Sequence, residues 1–154
     1  MFLVNNMDDK LLEFLIEAKK NTYAGKKGSV SSSRLNSHDL KYEDGNLMYY
    51  DTYLGNDKFS GSEALWVDSK PFWSMNYVGR VIGDNFSGDF LKEALLLVSK
   101  DYPYRGPLYY QNKDYEYIME VKGDFNWFVG HEIIKYKDKE IYECNFHGGV
   151  LIER

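Results

Sequence analysis

The sequence predicts an α+β fold in which a helix followed by a four-stranded antiparallel meander occurs twice, an α-β4 duplication about a pseudo-twofold axis. Three observations predict it. Shifted by sixty-nine positions, Phe59-x-Gly61-x-Glu63-x-Leu65 falls on Phe128-x-Gly130-x-Glu132-x-Ile134. Without a gap, Lys70, Asn76, Gly79 and Val81 then meet Lys139, Asn145, Gly148 and Val150. Self-similarity of this kind bears on architecture before any single motif does. Second, each run of alternating, aromatic-rich strand segments is preceded by one segment of helical periodicity. Third, aromatics make up 17% of the chain, with fourteen Tyr, and such rings suit half-buried sheet surfaces.

The elements follow in order. Residues 8–22 form an amphipathic helix with Leu11, Leu15 and Ala18 in one stripe, Leu12 and Ile16 beside it, Asn6 or Asp8 as cap and Gly25 as stop. Residues 25–37 are Gly/Ser-rich and aperiodic, which predicts a mobile loop. His38 to Tyr42 and Leu47 to Leu54 make a hairpin around Glu43-Asp44-Gly45. Lys58 to Val67 and Lys70 to Gly79 make a second, around Asp68-Ser69. Ser87 or Asp89 opens a second helix, Phe90 to Ser99, ended by Asp101-Tyr102-Pro103. Strand signals resume at Leu108 to Gln111, Tyr115 to Val121, Trp127 to Tyr136 and Lys139 to Phe146. At an offset of sixty-eight, Leu40, Tyr42, Tyr49 and Gly55 also meet Leu108, Tyr110, Tyr117 and Gly123. The face bearing Trp66, Trp73, Met75 and Tyr77 needs cover, which packing or joining the two sheets across the axis would supply.

Length and charge bound the function. One domain over 1–154 is expected, with halves of about 6–83 and 84–154. A net charge of −5 and a single short basic stretch, Lys26-Lys27 with Arg34, argue against direct nucleic-acid binding. Cys144 is the only cysteine, so no internal disulfide is available and a reducing compartment fits. The apolar run Met1 to Val4 is too short for a secretory or membrane segment, which predicts a cytoplasmic protein without a membrane partner. The internal duplication predicts a monomer or a weak homodimer.

Strand alternation puts Glu63 with Phe59, Gly61, Leu65 and Val67 on one face, and Glu132 with Phe128, Gly130 and Ile134. With a tight turn at Asp68-Ser69, Gly61 stands opposite Asn76, and Gly130 opposite Asn145 by the same count. Glycine there would leave room for the asparagine or for a ligand. The functional reading is a polar cluster of Glu63, Asn76, Glu132 and Asn145 that binds a small polar molecule or does acid/base work. The structural alternative has each glutamate hydrogen-bonding local backbone. Trp73 and Tyr77 would be stacking walls of such a pocket or simply core. His147, which aligns with Val78, is a polar departure in one copy, and the loop around Arg34 would serve as a lid. Cys144-x-x-His147 has too few companions for a metal site, and no cofactor motif is present.

Several strings resemble one family when taken together: Ser33-Arg34-Leu35-Asn36-Ser37-His38-Asp39-Leu40, Tyr50-Asp51-Thr52-Tyr53-Leu54-Gly55, Phe72-Trp73-Ser74-Met75-Asn76-Tyr77-Val78-Gly79, Tyr104-Arg105-Gly106-Pro107-Leu108 and His147-Gly148-Gly149. They resemble a family of uncharacterised bacterial domains found alone or behind an Xre-type helix-turn-helix in regulators. The resemblance implies a sensing or interaction role and brings no catalytic residue. The expectation is therefore a small-molecule-binding or sensory domain. Its rivals are a protein-interaction module and an enzyme using Glu63 or Glu132 with His147.

Overall fold

The computed structural model describes residues 2–154, with side chains from Asp9 onward. A first helix, α1 (Phe2–Lys20), starts upstream of the expected caps Asn6 and Asp8, whose side chains lie outside the described residues. Leu11, Phe14, Leu15 and Ala18 bury its inner stripe. Lys19 and Lys20 occupy its last turn, where cations suit the helix dipole. The second helix, α2 (Gly88–Leu95), is shorter than its periodic signal, and Ser87 caps it by accepting a hydrogen bond from the Phe90 amide at 3.1 Å. Among the described residues no helix is long and apolar enough to cross a membrane.

Nine strands follow the predicted hairpins, with one addition. They are β1 (Ser29–Val30), β2 (His38–Asp44), β3 (Leu47–Gly55), β4 (Lys58–Val67), β5 (Lys70–Val81), β6 (Tyr109–Asn112), β7 (Tyr115–Asp124), β8 (Trp127–Tyr136) and β9 (Lys139–Val150). The added strand β1 comes from the segment read as a mobile loop. The rest of that segment is tied down by buried Asp39, whose carboxylate accepts from the Ser33 amide (3.1 Å), the Ser37 hydroxyl (2.6 Å) and the Thr52 hydroxyl (2.9 Å).

The predicted α+β duplication is overturned. All nine strands form one continuous antiparallel sheet in the order β1-β2-β3-β4-β5-β9-β8-β7-β6. The helices are unequal, nineteen residues against eight. The physical reason lies at the centre of the sheet: β5 and β9 pair edge to edge from Trp73↔Val150 to Val81↔Tyr142. Their backbone groups are satisfied by extending one sheet, so the two strand runs are halves of a single sheet rather than two separate helix-plus-meander units. A single face of the sheet carries the core, with α1 against β2 and β3 and α2 against β7. Trp73, Met75 and Tyr77 lie on that same face with Glu63 and Leu65 rather than on an opposite one.

Register departs from the sequence expectation by one residue. A β-bulge between Leu65 and Trp66 sets Gly61 opposite Tyr77 and Ser62 opposite Asn76. A second, between Ile134 and Lys135, sets Gly130 opposite Phe146. One extra residue in a strand flips every side chain beyond it relative to the partner. The glycines therefore make room for rings: a Cβ on Gly61 would strike the Tyr77 hydroxyl, and one on Gly130 the Phe146 ring. The asparagines face away, exposed on the open side of the sheet.

Candidate functional site

Under the helices the core is not uniformly apolar. Glu63 projects inward from β4 and is 5% exposed, yet it is fully engaged. Lys19, from the last turn of α1, donates to both carboxylate oxygens at 2.9 and 3.1 Å and to the Tyr104 carbonyl at 2.7 Å. The Tyr49 hydroxyl donates to Glu63 as well. Burial pushes the Lys19 pKa below the usual lysine range despite the Glu63 charge.

Glu132 on β8 sits in a comparable nest with a different cation. Arg105 donates to its Oε1 through Nε at 2.9 Å, with Nη2 at 2.6 Å. Tyr142 donates at 3.0 Å, and Tyr117 completes the set. The Tyr117 hydroxyl also accepts from the Gly106 amide at 3.0 Å. Burial works against the Arg105 charge, but Glu132 and its neighbours more than offset it, and the guanidinium stays ionised. Arg105 lies over the Tyr77 ring at 5.3 Å, which links the two carboxylate nests.

Asp51 is the odd member. It faces Glu63 directly across the β3–β4 register and is 3% exposed. Its Oδ1 accepts from the Tyr77 hydroxyl at 2.6 Å, while Oδ2 has no hydrogen-bond partner among the described residues. Burial, and next the adjacent Glu63 charge, push its carboxyl up to about 7, against the pull of Tyr77, Lys19 and Arg105.

A cavity of about 20 Å³ lies among Lys19, Tyr23, Tyr49, Asp51, Glu63 and Arg105. A larger cleft of about 180 Å³ shares Tyr23 and Arg105 with it and is faced by Tyr53, Phe59, Phe86 and Tyr142. The cleft combines aromatic walls with a few polar groups, among them Asp57, Lys92 and Arg105.

Of the residues singled out from sequence, the structure gathers Glu63, Trp73, Tyr77 and Glu132 on the helix-covered face of the sheet, all buried. Trp73 is stacked on Phe125 at 5.4 Å and on Phe128 at 5.9 Å. Its indole Nε1 is buried without a partner. Asn76, Asn145 and His147 stand exposed on the opposite face, so His147 is not brought to either glutamate. Arg34 is exposed too, and its guanidinium reaches the Thr52 hydroxyl at 3.1 Å, one residue along the strand from Asp51 and on the other face. Burial pushes the Cys144 thiol up to about 12, so no thiolate nucleophile is offered at neutral pH. Among the described residues no three His, Cys, Asp or Glu side chains converge on a metal position.

Sequence reasoning missed Lys19, Tyr49, Asp51 and Arg105. Two signals were present. Lys19 is four residues after Leu15 on the buried stripe, and Asp51 alternates with Tyr49 on the inward side of its strand. Arg105, in a loop, carries no periodic signal.

A family model described as a domain of unknown function, DUF5680, matches residues 51–151. That span holds Asp51, Glu63, Arg105 and Glu132, and leaves α1 with Lys19 outside it. No curated protein and no solved structure matches the chain. The chain belongs to the DUF5680 family.

Proposed function

Starting from membership of a family without an assigned activity, we propose that this domain binds a small molecule in the cleft between its helices and the inner face of the sheet. One observation carries the reading. An aromatic-walled cleft adjoins a cavity onto which a buried carboxyl, Asp51, presents an oxygen without a partner. A carboxylate oxygen that takes no hydrogen bond beside a cavity is where a ligand donor gains most. The other charged groups of the cluster already have partners and serve to hold the walls. In a bacterial, cytoplasmic setting such binding would serve sensing, in keeping with the resemblance to domains that accompany Xre-type regulators. On this reading Glu63, Tyr77 and Glu132 shape the pocket, whereas Asn76, Asn145, His147 and Arg34 belong to the outer surface.

The test is a thermal-shift screen of the chain against a metabolite library. A ligand at a hundred times its Kd stabilises the fold by about 2.7 kcal/mol. At least one compound class is expected to raise Tm, with the shift lost in Phe86→Ala, which opens the cleft wall. A library without a single reproducible shift would sink the reading and turn attention to a protein partner.

A further inference from the structure

The buried cluster around the small cavity is one positive charge short. Three carboxylates, Asp51, Glu63 and Glu132, face two cations, Lys19 and Arg105. Lys19 is committed to Glu63 and the Tyr104 carbonyl, and Arg105 to Glu132 and Tyr142. Asp51 receives only the neutral Tyr77 hydroxyl, and its second oxygen takes no hydrogen bond among the described residues. An ionised carboxylate in such surroundings calls for a proton or a bound cationic group. An anionic ligand would add a fourth negative charge to the three already present.

Size narrows the occupant. A recess of about 20 Å³ has room for a group about the size of a water molecule, which suits an ammonium head better than the larger guanidinium. The adjoining cleft of about 180 Å³ is walled by Tyr23, Tyr53, Phe59, Phe86 and Tyr142. A cavity of about 150 Å³ holds one benzene ring. Asp57 also faces the cleft, and Lys92 there is drawn over the Tyr23 ring at 5.7 Å. We infer that the ligand is a small primary amine with one aromatic or compact apolar group, its ammonium on Asp51 and its ring in the cleft. This rests on the small-molecule reading above and adds the charge and shape of the ligand.

The experiment uses calorimetry and thermal shift on the intact chain with benzylamine, 2-phenylethylamine and tyramine. Benzyl alcohol and phenylacetate serve as neutral and anionic counterparts. At least one amine is expected to bind, and the counterparts to bind it about tenfold more weakly or not at all, since a charge-assisted hydrogen bond is lost. Asp51→Asn should weaken amine binding by a similar factor with the far-UV spectrum unchanged. Equal binding of amine and alcohol, tighter phenylacetate, or an undiminished Asp51→Asn variant would each overturn the amine assignment while leaving the cleft as a ligand site. Should the amines fail while the metabolite library yields another class, the assignment falls and the broader reading stands. Silence from both sets ends both. The comparison of counterparts needs only the wild-type chain, so it decides even if Asp51→Asn does not fold.

Discussion

Asp51 and the two glutamates make separable statements about pH. The folded pKa of Asp51, about 7, lies above the ordinary carboxyl value. A raised acid favours folding while protonated, so its contribution is whole below about pH 4 and is lost as pH climbs through 7. Asp51→Asn lacks that titration. Its stability relative to wild type in urea should therefore improve by about 2–3 kcal/mol between pH 5 and pH 8, and parallel curves would refute the assignment. The glutamates contrast through their cations. Glu132→Gln strands the Arg105 guanidinium, which cannot lose its proton, and should cost about 3–5 kcal/mol. Glu63→Gln leaves Lys19, whose pKa burial already lowers. That ammonium can neutralise itself, so the loss should be nearer 1–3 kcal/mol. It should also narrow as pH rises toward the ordinary lysine value of about 10, while the Glu132→Gln deficit holds steady.

Among the elements, the loop before β2 and the two bulged strands show where sequence legibility ends. Hairpin positions are readable because turn residues and alternation are local, and β2, β3, β4 and β8 lie close to where alternation puts them. The bulges after Leu65 and Ile134 are not readable, since no glycine marks them and the extra residue is chosen by packing across the sheet. That single unreadable step moved Asn76 and Asn145 away from the glycines and out of the candidate site. Gly130→Ala tests the register: its new methyl meets the Phe146 ring and should cost about 1–3 kcal/mol. Gly88→Ala, with open space around it at the start of α2, should be neutral or stabilising. The Gly/Ser segment misleads for another reason: its order comes from one buried side chain outside it. Burial pushes the Asp39 carboxyl up, but its hydrogen bonds from Ser33, Ser37 and Thr52 outweigh that and hold it low. A depressed acid stabilises above its unfolded value, about pH 4, and that stability is lost as pH falls further. Asp39→Ala should thus cost about 1–3 kcal/mol at pH 7 and speed tryptic cleavage after exposed Arg34. Unchanged cleavage would show that the loop holds itself.

Over the whole molecule, the self-similarity of the sequence suggests two units, yet several contacts of the core join the two strand runs. Lys19 joins α1 to Glu63 on β4 and to the carbonyl of Tyr104, beyond α2. Arg105, from that same stretch, bonds Glu132 on β8 and lies over Tyr77 on β5. Trp73 on β5 stacks on Phe128 of β8, and Phe59 of β4 stacks on Tyr142 of β9. Neither strand run retains a closed core without the other, because each contributes rings and countercharges to a common cluster. Self-similarity could not reveal this: it reports which segments match and is silent on whether free strand edges meet. The consequence is cooperative. Unfolding in urea should be a single transition, with far-UV circular dichroism and tryptophan fluorescence superimposing and one slope describing both. Amides of β5 and β9 should exchange only through global opening, whereas those of edge strands β1 and β6 should exchange through local fraying. Two resolved transitions, or protection confined to one strand run, would mean that the β5–β9 pairing is a weak seam and that the charged cluster is assembled from two independent parts.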